Sequence, residues 1–337
     1  MKNKDVSVFV ITRFGVGQSS SEFYDKEFPY IENLLKNSIL KQSHDITKWI
    51  VLIDINTPSY IYEKLKKIAS EEVLYIYSHD PFSNGSMMAD IPAILKKFEI
   101  KKNDKILTIR VDADDMLSNN YVEMIMDSIY TDNLIEKYQQ ISISASRGVY
   151  FYPSQNKLIQ VLKSDYSIQA LYSIFGNNFH SVYDYSHKKI GRDTVNNGGY
   201  SCALKNKALW IRTIRRFSSQ RFGKEFGIFD AKFDVLKTYI KIIFGKWLNN
   251  NTLYKERVDT LDLSESFEIS EALILLLVDL EKKFEMSEIR LPPLAKGLIN
   301  SGVGATRMKL KQALLDLYQL ETNKEYKNKI KIEFYEI

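Results

Sequence analysis

The sequence predicts an α/β protein with a Rossmann-like, mainly parallel central sheet and a helical C-terminal extension. Two observations predict the sheet. Apolar, β-branched runs alternate with apolar residues at helical spacing through the first 117 residues. Repeated β-α units of this kind build a parallel sheet with helices on both faces. A third observation predicts the extension: from about Phe229 onward the pattern is helical.

The composition allows this. The chain has 337 residues, room for one large or two ordinary domains. Hydrophobic residues make up 45% and charged residues 26%, ordinary for a globular protein, which excludes disordered and collagenous classes. Lys+Arg is 47 and Asp+Glu is 42, and a net charge of +5 does not by itself imply nucleic acid. One cysteine, Cys202, excludes an internal disulfide framework and a Cys-rich metal cluster, and fits a reducing, cytoplasmic setting. The strongly apolar stretch Ala272 to Val278 falls far short of the roughly 20 residues of a membrane span. No signal peptide is read at the N-terminus, where the apolar run ends at Arg13. Tyr and Phe are plentiful and are read first as core.

Taken in order, Val6 to Thr12 reads as a buried strand, followed by the loop Arg13-Phe14-Gly15-Val16-Gly17 and a Ser-rich turn. Ile31, Leu34, Leu35 and Ile39 mark a helix. Trp49 to Ile53 is the second strand and Ile61, Leu65 and Ile68 mark the second helix. Val73 to Tyr77 is the third strand, and Met88, Ile91, Leu95 and Phe98 mark the third helix. Ile106 to Val111 is the fourth strand, ending in Asp112-Ala113-Asp114-Asp115. Val122 to Ile129 is a helix and Ile141 to Ala145 a strand. Residues 150–199 lack a clear period and read as a long, partly irregular region near the site. Asn196-Asn197-Gly198-Gly199 is a turn, and Tyr200 to Leu204 a strand leaving it. Helical patterns follow over Phe233 to Trp247 and Glu271 to Phe284, then at Leu310, Leu314 and Leu317 after the cap Thr306. Ile330, Ile332 and Phe334 alternate as a terminal strand. The expected division is a catalytic domain over 1–245 and a mainly helical extension over 246–337.

In open sheets of this class, ligands bind beyond the carboxyl ends of the strands. The acidic cluster falls at such an end. Two carboxylates in Asp-x-Asp spacing suit a hard divalent cation, which neutralises a diphosphate leaving group. The bland alternative is a helix cap: Asp115 or Ser118 at the start of the helix through Ile129. Strand alternation puts Arg110 and Asp112 on one face, so Arg110 pairs with a carboxylate or a phosphate.

The stretch Ile109-Arg110-Val111-Asp112-Ala113-Asp114-Asp115-Met116-Leu117 resembles the Asp-x-Asp segment of nucleotide-sugar glycosyltransferases of the A-type fold. With Thr12-Arg13-Phe14 after the first strand, it resembles more particularly the bacterial rhamnosyltransferase family. Asn197-Gly198-Gly199-Tyr200-Ser201-Cys202-Ala203-Leu204-Lys205 is similar to the Gly-Gly segment near the acceptor in many A-type enzymes. The resemblance covers about residues 5–216. It implies that Asp112 touches the nucleotide ribose or a metal, that Asp114 is a ligand of Mn²⁺ or Mg²⁺, and that Thr12 and Arg13 lie against the nucleotide. It also implies that Gly198 and Gly199 lie on the acceptor side.

One departure bears on the metal. A-type enzymes often supply a late His as a further ligand, and no His follows His187. Arginines stand in that region. Either aspartates and water hold the ion, or Arg215 and Arg216 take diphosphate charge through their planar forks. Lys205, Lys207, Arg212, Arg215, Arg216, Arg221 and Lys224 form a run of seven cations without an acid. It reads as a diphosphate clamp, an anionic-lipid patch or a solvated face.

Inverting transfer needs a general base. Asp193 is preferred, with Asp184, Glu225, His180 and His187 as further candidates. Tyr183 and Tyr185 suit stacking on sugar rings or ordinary packing. The expected function is transfer of a sugar, rhamnose by family resemblance, from a nucleotide-diphosphate donor to a glycan or lipid-linked glycan acceptor in bacterial surface polysaccharide synthesis. The setting would be cytoplasmic, with peripheral contact at the inner membrane face and no nucleic-acid partner. Two other classes compete: a non-catalytic nucleotide-sugar-binding protein, and an Asp-nucleophile phosphatase. The phosphatase class carries its Asp-x-Asp after the first strand with Thr or Val two residues on, where this chain has Met116.

Overall fold

The computed structural model describes residues 5–80, 82, 89–153, 157–162, 168–186, 189–205, 207–214, 256–257, 267, 271–284, 318, 327–328, 331 and 335. Two sheets organise these residues. The larger has seven strands: β1 (Val6–Phe14), β2 (Lys48–Asp54), β3 (Leu74–His79), β4 (Lys105–Arg110), β6 (Gln140–Ala145), β9 (Gln169–Ile174) and β10 (Tyr200–Leu204). Their order is β10-β6-β9-β4-β1-β2-β3, and only β9 runs against its neighbours. The smaller sheet holds β5 (Asp115–Leu117), β7 (Arg147–Tyr152), β8 (Lys157–Leu162), β11 (Trp210–Thr213) and β12 (Glu256–Arg257), in the order β12-β8-β7-β11-β5. The mainly parallel α/β sheet expected from the sequence is therefore present.

Side-chain parity explains the two cores. Successive residues of a strand face opposite sides of the sheet. In β1, Val6, Val8, Val10 and Phe14 enter one core, and Phe9 and Ile11 enter the other. In β2, Trp49, Val51 and Ile53 join the first core, and Ile50 and Leu52 the second. A strand covered on both sides is apolar throughout, which is why β1 and β2 were readable without alternation.

The first core is roofed by α1 (Ser21–Tyr30), α2 (Lys36–Leu40), α3 (Ser59–Ile68) and α5 (Tyr121–Tyr130). The helix read from Ile31 starts ten residues earlier, at Ser21, because the Ser-rich turn supplies its cap: Ser20 Oγ accepts from the Phe23 N–H at 3.5 Å. The segment Ile31–Leu35 between α1 and α2 is a π-turn, two residues after Pro29. The second core is covered by α4 (Asp90–Lys96). At its first turn, Asp90 meets the buried His79 ring at the end of β3 at 2.7 Å. The short α6 (Leu134–Lys137) leads into β6, and α7 (Ile190–Asn196) leads into β10.

Residues 150–199 are partly irregular, with turns and coil over 175–186. They hold the end of β7, β8, β9 and α7. β9 is inserted antiparallel between β4 and β6, so the region builds the sheet beside the acidic loop.

The helix over Glu271–Phe284, here α8, is present as expected. Ile274, Leu277 and Val278 pack it with Met116, Phe151 and Ile211 in a third apolar cluster on the smaller sheet. The expected helix over Phe233 to Trp247, the positions Thr306, Leu310, Leu314 and Leu317, and the boundary near 245 lie outside the described residues. So do Ile330, Ile332 and Phe334, on which the terminal strand was read. Among the described residues, no helix is long and apolar enough to cross a membrane.

The smaller sheet closes on a tight contact. Trp210 is fully buried, donates from Nε1 to the Ala145 carbonyl at 2.7 Å, and lies flat over Gly148. A Cβ on Gly148 would stand 2.1 Å from the indole. Overpacking of this kind costs about 1–3 kcal/mol, so Gly148→Ala should lower the urea midpoint measurably. Gly176→Ala, where the nearest atom is 4.0 Å away, serves as the control. Equal midpoints for the two variants would show that the Trp210 contact relaxes without cost.

Candidate functional site

The acidic residues follow β4 directly, at the junction of the two sheets. The chain leaves the large sheet at Arg110, turns through Asp112 to Asp115, and enters the small sheet as β5. The Asp115 N–H donates to the Asp112 carbonyl at 3.1 Å, closing a four-residue turn. The position after the fourth strand matches the glycosyltransferase expectation and differs from the one expected of a phosphatase.

β11 fixes this turn from the other side. It pairs antiparallel with β5, with Arg212 opposite Asp115. The Thr213 N–H donates to Asp115 Oδ1 at 3.1 Å, and the Thr213 hydroxyl donates to the Asp114 carbonyl. Asp115 is buried, and its Oδ2 has no hydrogen-bond partner. Burial, and then the neighbouring Asp114 carboxylate, push its pKa well above the ordinary carboxylate range. Neither Asp115 nor Ser118 caps α5, which corrects the helix-cap alternative; Gln42 Oε1 accepts from the Val122 N–H instead, at 3.0 Å.

Arg110 lies on the Asp112 face, as alternation requires. Its Nη2 stands 3.6 Å from Asp112 Oδ1. Its guanidinium also lies over the Tyr183 ring, 4.7 Å from the centroid, and Arg13 approaches the same ring at 5.8 Å. Arg110 is nearly buried, its Nε is without a partner, and desolvation lowers its pKa. Tyr183 is thus a platform for two arginines. It is 3% exposed, too covered to stack on a sugar. Its hydroxyl donates to the Ile11 carbonyl at 3.3 Å, and burial raises its pKa.

Thr12 and Arg13 part company by parity. Arg13 faces the site. Thr12 points into the opposite core, is fully buried, and its Oγ1 accepts from Trp49 Nε1 at 3.1 Å. The expectation that the Thr12 side chain meets a nucleotide is therefore corrected: it supports the strand. Sequence reasoning missed Asp54 at the carboxyl end of β2. Its Oδ2 accepts from the Gly17 N–H at 2.7 Å and its Oδ1 from the Asn56 N–H at 2.9 Å. It shapes the loop after β1, in which Gly15 and Gly17 take φ of +69° and +75°. Its place beside the first loop was the available signal.

Gly198 and Gly199 end α7. Gly198 has φ of +80°, and the Gly199 N–H donates to the Thr194 carbonyl at 2.9 Å. A Cβ on Gly199 would stand 2.6 Å from the Gln140 carbonyl. The pair therefore has a structural reason in this chain. Asp193, on α7, meets Arg192 Nε at 3.2 Å, and its partners include no residue of the acidic loop. Asp184 accepts from Ser181 N–H and Oγ at 2.5 and 2.9 Å, locking the turn that carries Tyr183. His180 lies beside Tyr185, ring centroids 5.3 Å apart. Tyr185 is tied to Gln140 and Asn197 by hydrogen bonds of 3.1 and 2.9 Å. Arg215, Arg216, Arg221, Lys224, Glu225 and His187 lie outside the described residues.

Two of the three carboxylates near which a divalent ion would sit are already engaged. Asp112 is paired with Arg110, and Asp115 is buried and committed to Thr213. Arg212 lies in the field of all three aspartates. Among the described residues, no group of three potential ligands surrounds a common point. Arg110 supplies one ion pair to the cluster.

In open α/β sheets ligands bind beyond the carboxyl ends of the strands, and the carboxylates and arginines of this chain lie at such an end. The family model described as "Putative rhamnosyl transferase" matches residues 22–221, and the chain belongs to that family of glycosyltransferases. No curated protein matches it. Among solved structures, it is similar to TarS 1–349 of S. aureus, with 13% identity over 98% of this chain and 89% of that one and a TM-score of 0.35. It is also similar to the mannosyltransferase PcManGT of Pyrobaculum calidifontis, solved with GDP-Man and Mn²⁺, at 9% identity over 98% and 84% and a TM-score of 0.39. A cytidylyltransferase from Leptospira borgpetersenii matches at 12% identity over 71% and 96%, with a TM-score of 0.37. Likenesses of this size do not choose among reactions.

The Asp115 environment has a consequence for stability. A carboxyl whose pKa is raised on folding holds its proton better in the folded chain, so stability falls as pH rises from the unfolded value through the folded one. Asp115→Asn keeps an acceptor for Thr213 and removes the titration. Urea midpoints measured from pH 4 to 8 should fall less steeply in the variant than in the parent. Parallel curves would show that Asp115 does not titrate differently on folding.

Proposed function

We propose that the protein transfers a sugar from a nucleotide-diphosphate donor to a glycan or lipid-linked glycan acceptor, with rhamnose as the sugar the family description suggests. The observation that carries the reading is the cluster at the end of β4: Asp112 and Asp114 beside Arg110 and Arg13, both stacked on Tyr183. A diphosphate needs concentrated positive charge, and guanidinium groups meet it in a bidentate fashion. Asp112 orients Arg110 and accepts from a ribose hydroxyl. Arg13 and Arg110 hold the diphosphate, with Arg215 and Arg216 as further candidates.

In a direct displacement, the acceptor oxygen bonds to the anomeric carbon as the bond from that carbon to the diphosphate oxygen breaks. Negative charge then grows on the departing diphosphate, where fixed cations lower the barrier. The acceptor proton passes to a base. Asp193 is the carboxylate we propose for it, on the helix leading into the Gly198-Gly199 turn. The Mn²⁺ or Mg²⁺ that the resemblance implies would be held by Asp112 and Asp114 and has no assigned step, since Asp112 is already paired with Arg110. A cytoplasmic setting at the inner membrane face, within bacterial surface polysaccharide synthesis, suits a lipid-linked acceptor.

A thermal-shift screen of nucleotide sugars, with and without Mn²⁺, identifies the donor, because a ligand that binds only the folded state stabilises it. With that donor, Asp112→Asn and Asp114→Asn should each lower turnover by about 10²-fold, the scale for removing one preorganised charged contact. Unchanged turnover in both would sink the proposal. Asp193→Asn should lower transfer by about 10²–10⁴-fold while leaving the donor-induced thermal shift intact. Loss of the shift in that variant would argue against its role as base, and a donor that binds without turnover in the parent would favour a non-catalytic binding protein.

A further inference from the structure

Arg212 is the one arginine of the described site that neither the Asp-x-Asp spacing nor the first-strand motif singles out. β11 runs antiparallel to β5 and sets Arg212 directly across from Asp115. The adjacent Thr213 is bonded to Asp115 and to the Asp114 carbonyl, so the Arg212 backbone cannot drift from the turn. The side chain is largely buried and lies in the field of Asp115, Asp112 and Asp114. Those carboxylates outweigh the desolvation that opposes its charge, so its pKa is raised. The other flank of the cluster carries Arg110, whose buried Nε is still unpartnered. The turn therefore has an arginine on each of two strands beside it, Arg110 of β4 and Arg212 of β11, and the Arg110 Nε has unused donor capacity.

We infer that Arg212 is a built-in countercation of the acidic turn, which lets the site take a nucleotide diphosphate without a divalent metal ion. The inference rests on the nucleotide-sugar reading for its ligand. Its electrostatic half concerns the turn alone. Three aspartates in four residues attract a cation, and a guanidinium that supplies this charge from a fixed strand competes with a metal for the same carboxylates. Removing it should expose the cluster to metal. Arg212 is a positioning residue in this account, acting on the ligand through Asp112 and Asp114.

Two measurements test it on the full-length protein. In the first, binding of UDP, GDP and dTDP is measured by calorimetry in EDTA and in Mn²⁺, for the parent, Arg212→Gln and Arg212→Lys. The parent should bind its preferred nucleotide with nearly equal affinity in both media. Arg212→Gln should lose about tenfold or more in EDTA, the scale of one charged contact, and recover in Mn²⁺. Arg212→Lys should stay near the parent in both. A purely structural role would weaken binding equally in both media. A parent that binds only with Mn²⁺ overturns the inference, as does an Arg212→Gln variant unaffected in EDTA.

The second measurement uses Mn²⁺ alone, followed by its electron paramagnetic resonance, with no nucleotide present. Arg212→Gln should bind the ion about tenfold more tightly than the parent, and Arg212→Lys should not, because only the former removes a competing charge. Equal affinities in all three proteins overturn the countercation role whatever the nucleotide data show. If no nucleotide binds under any condition while the Mn²⁺ affinities separate as expected, the nucleotide-sugar reading fails and the role of Arg212 in the turn stands.

Discussion

Three carboxylates within four residues repel one another, and the turn that carries them keeps its shape because β11 lies against it. Two unit charges about 4 Å apart interact by about 4 kcal/mol at a near-surface dielectric. A flexible loop would relieve that repulsion by spreading into solvent. Here the Asp115 carboxyl is instead drawn inward, receives the Thr213 N–H, and faces Arg212 across the strand pair. The turn is thus fixed at both ends, by β4 in the large sheet and by β11 in the small one. Everything else in the site is arranged around that fixed point.

The half of this that is local was legible in the sequence. β1, β2 and β4 announce themselves as apolar runs because they are covered on both faces, and the acidic residues stand where the fourth run ends. Alternation alone put Arg110 on the Asp112 face, with a carboxylate or a phosphate as its partner. The same rule, applied to β1, separates Thr12 from Arg13: neighbours on a strand point to opposite faces. The family motif treats them as a pair, and parity divides them.

The other half is non-local and left no periodic trace. The antiparallel insertion of β9 depends on its pairing with β4 and β6, and its mixture of Gln, Ser and Tyr with apolar residues hides the strand. β11 is four residues long and is defined by partners nearly a hundred residues away. Asp54 stands one residue past the strand read as Trp49 to Ile53, and its carboxylate organises the first loop. Gly198 and Gly199 looked like a ligand-side motif, although a helix cap and the Gln140 carbonyl already require them. In each case the residue type was visible and its partner was not.

Tyr183 shows how such distant pieces combine into one chemical surface. Arginine side chains are long, and a guanidinium that must be ordered at the moment of binding contributes less than one held in advance. Arg13 and Arg110 come from different strands but share one ring, which restricts both. The ring is itself held by strands on either side. Its hydroxyl bonds to the Ile11 carbonyl of β1, and the preceding Val182 N–H donates to Thr108 Oγ1 of β4 at 2.9 Å. Asp184 closes the turn beneath through Ser181. Asp184 thereby holds the turn beneath the ring through one carboxylate oxygen. The arginines are therefore positioned by β1 and β4, and β4 also presents the acidic turn, so charge and countercharge share one rigid strand.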